Sequence, residues 1–179
     1  MEYSYEVKIP KDRVAVLIGK GGSVKKKLEE MTNVSIDVDS QEGQVTITGS
    51  DSITMFQLRG VVKAVGRGFN PDVAQLLLKQ DYALEIVNIH DFVKDTKNHV
   101  ERVRGRVIGT EGKARKSIEV MTETFISVYG KTVSIIGTID KVQISKNAVV
   151  SILQGAPHGP VYNHVEESMQ KLKKRETLG

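Results

Sequence analysis

Apolar and polar residues alternate at the start of the chain. Tyr3, Tyr5, Val7 and Ile9 share one face, and Ser4, Glu6 and Lys8 share the other. A period of two predicts a half-buried strand. Pro10 ends it, and Lys11-Asp12 leads into a short helix through Leu17. Val24, Leu28 and Met31 keep helical spacing to about Thr32, and Val34, Ile36 and Val38 return to alternation. Ser40 to Gly43 is a turn, after which Val45 and Ile47 form a returning strand that stops at Gly49. Ser50 or Asp51 is placed to cap the next helix. Ile53, Phe56, Val61, Val62 and Val65 supply its apolar face, and Gly66-Arg67-Gly68-Phe69 breaks it.

Asn70-Pro71 reads as a helix cap followed by proline at the first helical position. Val73, Leu76, Leu77 and Leu78 make the connecting helix too apolar for a flexible linker. It either fixes two units relative to each other or adds to the core of the first. Leu84, Ile86, Val87 and Ile89 then open a strand equivalent to the first one. Asp91 to Asn98 is polar and reads as a loop or helix start, and Val100, Val103 and Val107 form the next helix. Ile118 and Met121 repeat the helical face, Phe125 to Tyr129 is a strand, Gly130-Lys131 a tight turn, and Thr132 to Ile136 the return strand. Thr138 or Asp140 begins a long helix that Gly155 to Pro160 ends, with a final helix over Val161 to Arg175. The basic end of that helix complements its C-terminal dipole.

The same strand-helix-helix-strand-strand-helix order thus occurs twice, and so do its residues. Ile18, Gly19 and Gly22 recur ninety residues later as Ile108, Gly109 and Gly112, and Leu28, Ile36 and Val38 recur as Ile118, Ile126 and Val128. One unit has been used twice. Its centre is a four-residue loop between two helices, Gly19-Lys20-Gly21-Gly22 in the first copy and Gly109-Thr110-Glu111-Gly112 in the second. Glycine at both ends lets the backbone turn without a Cβ penalty and lets a ligand approach closely. The helix after the loop presents unpaired N–H groups and the positive end of its dipole, which favours an anion. Lys25, Lys26 and Lys27 crowd the first copy, and Lys113, Arg115 and Lys116 the second, with Arg102, Arg104 and Arg106 just before its loop. This arrangement suits a phosphodiester backbone.

Charge and composition narrow the reading. The net charge of +4 is unevenly held. Residues 1–90 carry 11 basic and 12 acidic side chains, and residues 91–179 carry 15 and 10, so the second half carries the bias toward nucleic acid. There is no Cys, hence no disulfide framework and no cysteine zinc site. Aromatics are 5% with no Trp, which argues against broad stacking of bases. No signal peptide or long apolar run is present, so a soluble, cytoplasmic protein without membrane contact is expected. The four His form no HExxH, and no GxSxG or P-loop occurs. Asp37 and Asp39 read as a solvated strand face and His158 as a structural turn residue. No enzyme, metal site or cofactor is expected.

Two Ile-Gly-x-x-Gly loops in this context resemble the type I KH domain. The resemblance implies an α+β fold. Each KH domain would be β-α-α-β-β-α, a three-stranded antiparallel sheet with helices on one face. The first would cover 1–68, a connecting helix 69–81, and the second, with a C-terminal helical extension, 82–179. KH loops clamp about four single-stranded nucleotides. The implied RNA-binding residues are Gly109, Thr110, Glu111, Gly112, Lys113, Arg115, Lys116, Arg104 and Arg106, together with Gly19, Lys20, Gly21, Gly22, Lys25 and Lys26. Glu111 puts a carboxylate where phosphate should sit, so loop chemistry favours the first copy while total charge favours the second. The second is taken as the main site.

Phe125 to Val133, Ile135-Ile136-Gly137, Gly155-Ala156-Pro157-His158-Gly159 and Gly66-Arg67-Gly68-Phe69 resemble, more narrowly, the archaeal two-KH ribosomal RNA processing proteins. These are relatives of the eukaryotic small-subunit assembly factor that partners the Nob endonuclease. That resemblance implies binding near the 3′ end of small-subunit rRNA during assembly. The rRNA-trimming endonuclease or another assembly or translation factor would be met through the first domain. The alternatives are a protein–protein adaptor with KH folds and a KH protein of RNA turnover.

Overall fold

The computed structural model describes residues 1–94 and 96–179, which form two compact units, Met1–Tyr82 and Ala83–Gly179. In the first, β1 (Tyr3–Lys8), α1 (Lys11–Ile18), α2 (Ser23–Thr32), β2 (Ser35–Asp39), β3 (Gln44–Gly49) and α3 (Ser52–Gly66) follow in order. A single turn, α4 (Pro71–Ala74), and a 3₁₀ turn (Gln75–Leu78) come after them. In the second, β4 (Tyr82–Asn88), α5 (Lys97–Ile108), α6 (Lys113–Thr122), β5 (Phe125–Tyr129), β6 (Thr132–Thr138) and α7 (Ile139–Leu153) repeat the order, and α8 (His158–Leu178) extends it. Both units carry a three-stranded antiparallel sheet, ordered β1-β3-β2 and β4-β6-β5. This is the α+β, twice-repeated β-α-α-β-β-α fold expected from the sequence.

Register decides which side chains are inside. Val7 lies opposite Val45, Tyr5 opposite Ile47, and Ile36 opposite Ile47 on the other side. Val7, Ile36, Val45 and Ile47 are buried, as are Leu17, Leu28, Met55, Leu58 and Val62. Each such side chain contributes roughly 1.5–3 kcal/mol by leaving water. In the second unit Val87, Ile89, Ile126, Val133 and Ile135 face Val107, Ile118, Val149 and Ile152. Helix α8 closes that core with Val161, Val165, Met169 and Leu172.

Several phases differ from the sequence reading. Ile53 and Phe56 are each 69% exposed, and Met55, Leu58, Val61, Val62 and Val65 point inward instead. Asp51 accepts the Ile53 N–H at 3.2 Å and fixes the start of α3, and the turn of the helix then directs positions 55, 58, 62 and 65 to the sheet. Met31 is 54% exposed and leaves Leu28 as the buried residue of α2. In β4 Val87 is the buried residue, Ile89 is buried just beyond the strand, and Ile86 faces outward, 39% exposed. Helix α8 begins at His158 rather than Val161, because Gly159 and Pro160 fit a first turn that needs no intrahelical donor. The stretch 91–98, read as a loop or helix start, includes Asp95, which lies outside the described residues. Past it, Thr96 Oγ1 accepts the His99 N–H at 3.3 Å and caps α5. The turn over Gln75–Leu78 packs on α3, with Leu77 buried and its Cδ1 against Gly60.

The third helix ends alike in both units. Gly68 (φ 98°) and Gly155 (φ 102°) turn the chain left-handed, and the next N–H reaches back to the carbonyls of Ala64 (3.1 Å) and Ser151 (3.0 Å). Two carbonyls beside this turn are taken by an arginine. In the first unit Arg13 donates to Val65 O (2.8 Å) and Phe69 O (2.9 Å). In the second Arg106 donates to Ile152 O (2.8 Å) and Ala156 O (2.6 Å). The carbonyls are equivalent but the arginines are not: Arg13 aligns with Val103, one helical turn before Arg106. Arg106 is further held where His158 Nε2 donates to its carbonyl at 2.7 Å. Replacing Arg106 with Met, which keeps the apolar stem, is expected to destabilise the second unit by about 2 kcal/mol, since two charge-assisted bonds are lost. Urea unfolding checks this, and an unchanged midpoint would show that the carbonyls need no arginine.

Candidate nucleic-acid interface

The two loops superpose in conformation as well as sequence. Gly19 and Gly109 both have φ 76°, with ψ 170° and 173°. Gly21 (φ 62°, ψ 23°) is matched by Glu111 (φ 56°, ψ 26°), and Gly22 (φ 77°) by Gly112 (φ 75°). The glycines are required for different reasons. A Cβ on Gly19 would lie 2.8 Å from the Val24 backbone nitrogen, and one on Gly109 would lie 2.7 Å from that of Ala114. Only glycine lets the loop pack on the following helix. A Cβ on Gly22 meets nothing within 4 Å, and one on Gly112 meets only the ends of the Arg115 and Lys116 side chains. That side of each loop is open, and α2 and α6 start without a side-chain cap. An incoming phosphate would find free space next to a helix N-terminus.

Glu111 holds a backbone conformation suited to glycine, asparagine or aspartate, at a cost of about 1–2 kcal/mol. Its side chain is exposed and makes no hydrogen bond or ion pair among the described residues. Strain of this sort concentrates at functional sites.

The cations divide into two groups. Arg115 donates to Glu119 Oε1 at 2.8 Å and to Ile126 O at 3.4 Å, while Glu119 Oε2 accepts the Ile126 N–H at 2.8 Å. Lys25, Glu29 and Ile36 form the same clip in the first unit, at 3.4 Å and 3.0 Å. Each clip ties the helix after the loop to the strand that follows. Lys25 and Arg115 therefore have structural duties, although both remain partly exposed. Arg106 is turned to the end of α7, as described. Lys20, Lys26, Lys113, Lys116 and Thr110 are exposed and free to meet a ligand. Arg104 is half-buried, and its Nε lacks a partner. Neither clip was visible in the sequence, although the Lys25–Glu29 and Arg115–Glu119 spacing is that of a helical ion pair.

The groups with displaced protonation lie away from both loops. The Lys141 ammonium at 2.8 Å hydrogen-bonds the Glu123 carboxyl and holds it below its usual value, with lesser help from Lys173. Burial, and then the nearby Arg59, lowers Lys63. Among the described residues no group of three or more His, Asp or Glu is placed to hold a metal ion, and no helix is long and apolar enough to cross a membrane.

The eukaryotic-type KH-domain family (KH-domain type I) matches residues 83–170, and the KH domain family matches residues 4–55. Over 172 residues the chain is 45% identical to the KH domain-containing protein MJ0443 of Methanocaldococcus jannaschii, covering 94% of this chain and 75% of that protein. The chain belongs to the tandem KH-domain family. The pre-rRNA-processing protein PNO1 of Candida albicans is 34% identical over 115 residues, 64% of this chain and 42% of that protein. The chain thus spans less than half the length of that PNO1 relative. Among solved structures, the aDim2p complex with a/eIF2alpha and rRNA from Pyrococcus horikoshii is similar, with a TM-score of 0.89 and 42% identity, covering 95% of this chain and 96% of that one. The two loops are accordingly the GxxG loops of the first and second KH domains.

Substitutions at the glycines separate packing from ligand access. Gly109→Ala is expected to cost well over about 2 kcal/mol, combining a clash with backbone strain, whereas Gly112→Ala carries only the strain, about 1 kcal/mol. Glu111→Gly, which relieves strain, is expected to stabilise the second domain by up to about 1 kcal/mol. Thermal and urea unfolding of the three variants would reveal a different order if the loop rearranges.

Proposed function

We propose that this chain binds single-stranded RNA near the 3′ end of small-subunit rRNA and acts there, in the cytoplasm, during assembly of the small ribosomal subunit. One observation carries the reading: the similarity to the rRNA-bound protein of P. horikoshii extends over nearly the whole chain. The PNO1 relatives, named for pre-rRNA processing, support the same pathway. KH domains are binding modules rather than an enzyme class, and we propose no catalytic step.

The clamp of the second domain is the main site in this reading. Gly109 to Gly112 carry the backbone turn, Lys113 and Lys116 meet phosphate, and Arg104 faces the strand as it passes α5. Arg115 contributes through the field of a cation already paired with Glu119, and Arg106 through holding α5 in place. Gly19 to Gly22, with Lys20, Lys25 and Lys26, give the first domain the means for a second RNA contact. The presence of a/eIF2alpha in the neighbour's complex supports a translation or assembly factor as protein partner. An adaptor without RNA binding is disfavoured by the open side of both loops.

Titration with a single-stranded oligonucleotide of the rRNA 3′ end, across salt concentrations, tests this. Engagement of three or four phosphates gives a slope of log affinity against log salt of about −2 to −3. Gly112→Asp is expected to lower affinity at least about tenfold, or 1.4 kcal/mol, at a melting temperature close to that of the glycine protein. A duplex of the same sequence should bind more weakly. Equal binding of duplex and single strand, or indifference to Gly112→Asp, would sink the clamp reading.

A further inference from the structure

The two units part company after the third helix. The chain leaves α3 and α7 through the matching turns at Gly68 and Gly155 and starts a further helix at once, α4 after Asn70 and α8 after Pro157. Ala74 falls on Val161, and both are buried. In the second unit the helix runs on to Leu178, 21 residues in all, a rise of roughly 32 Å. In the first it stops after α4 and the 3₁₀ turn to Leu78, and the chain goes on to β4. Residues 166–178 therefore have no counterpart in the first unit.

What the second half of α8 covers can be read in the second unit. Met169 and Leu172 lie in its core cluster, and Met121 of α6 and Ile144 of α7 pack against that cluster. Beside them Lys141 meets Glu123 at 2.8 Å, and Lys173 of α8 is near enough to help hold that carboxyl low. In the first unit Met31, Asn33 and Gln57 stand at the places of Met121, Glu123 and Ile144. No helix follows to cover them. Met31 is more than half exposed, as are Ile53 and Phe56 on α3. The equivalents of Ile53 and Phe56 in α7 are Asp140 and Gln143. The unit that carries its own covering helix thus places polar residues at these wet positions, and the unit without one places apolar residues there.

A cavity of about 650 Å³ opens where α2 ends and α3 is about to begin, lined in part by Glu2, Glu29, Asn33, Ser35, Thr48 and Ser50. Glu29 is already engaged in the clip to Ile36, and Glu2 is exposed. Single exposed apolar side chains are ordinary on a protein surface. Three of them on the two helices that flank an acidic cavity, where the sister unit lays a helix, mark a place for a partner. The sister unit also supplies the template of the occupant. Val165, Met169 and Leu172 give α8 one apolar face, and Lys173 approaches a carboxylate at the far end. A helix laid in a groove with apolar anchors at this spacing is a recurring mode of recognition. A cation at its end would face Glu2 and Glu29 as Lys173 faces Glu123.

We propose that the bare surface between α2 and the start of α3 takes an amphipathic helix with a basic end from a protein partner, in the pose that the second half of α8 holds in the second unit. This rests on the protein-partner reading above, to which it adds the surface and the kind of element received, and it makes no use of either glycine loop.

The probe is a helix-stapled peptide with the sequence of residues 164–178, which carries Val165, Met169 and Leu172 on one face and Lys171, Lys173, Lys174 and Arg175 toward its end. Its binding to the full chain is read by fluorescence anisotropy and located by amide chemical shifts. Saturable binding with shifts at Met31, Ile53 and Phe56 is expected. Met31→Glu/Ile53→Glu changes only exposed side chains; a melting curve verifies its fold, and it should bind the peptide at least about tenfold more weakly. A peptide with Met169→Glu/Leu172→Glu should not bind, and one with Lys171→Glu/Lys173→Glu/Lys174→Glu/Arg175→Glu should bind at least about fivefold more weakly. Absence of peptide binding, an unchanged affinity in Met31→Glu/Ile53→Glu, or shifts confined to the second unit would overturn the proposal. A dimer that dissolves in that variant would assign the surface to a second copy and overturn it as well. Affinity for single-stranded RNA, measured on the same samples, should be the same in the intact protein and the variant. A parallel loss of RNA binding would make the surface part of the RNA site instead. Failure of the peptide with RNA binding intact would remove the docking proposal alone.

Discussion

In both units the backbone between the first two helices passes through a left-handed glycine with no room for a Cβ. The next helix packs so closely on that turn that a methyl group at Gly19 or Gly109 would sit within 3 Å of a backbone nitrogen. This contact sets where the second helix begins and which way its first N–H groups face. The open glycine three residues later inherits its position from it. So do the cation–glutamate clips that bind the helix to the strand beyond. The loop can offer space to a phosphate on one side because it has none on the other.

The fold was legible because its signals are local and occur twice. Period-two strands, glycine-ended loops and the matching of Ile18-Gly19 with Ile108-Gly109 place every element of both units within a few residues. Helix phase was not legible at Ile53 and Phe56. They look apolar enough for the core, but the Asp51 cap starts α3 with those positions facing water. At the site, the loops could be read and the duties of the arginines could not. Composition shows that Arg104, Arg106 and Arg115 are cations near a glycine loop. Only the folded geometry separates one bonded to helix-end carbonyls 46 and 50 residues away from one paired with Glu119 and one with an orphan nitrogen.

The copies also show how one packing problem admits different chemistry. In the first unit Arg59 sits over the Tyr5 ring, 5.4 Å from its centroid. At the equivalent place in the second, Lys146 meets Glu85 at 2.5 Å. A cation on the third helix faces the first strand in each case, once over an aromatic face and once against a carboxylate. Both pairings lie at a partly wet boundary, where neither bears a large desolvation penalty.

The arginine that holds the end of the third helix bears on how such a gene can be reshuffled. Its acceptors are backbone carbonyls, which any sequence supplies, so the whole device travels with the first helix. Exchange of that complete helix between the copies by recombination would carry a working arginine each way. A crossover inside the helix, between the Arg13 and Arg106 positions, would leave one product with two arginines and the other with none. Breakpoints within those few codons are therefore the ones that selection would remove. The two copies can drift apart in sequence while the boundaries of the exchangeable segment stay fixed by the helix ends.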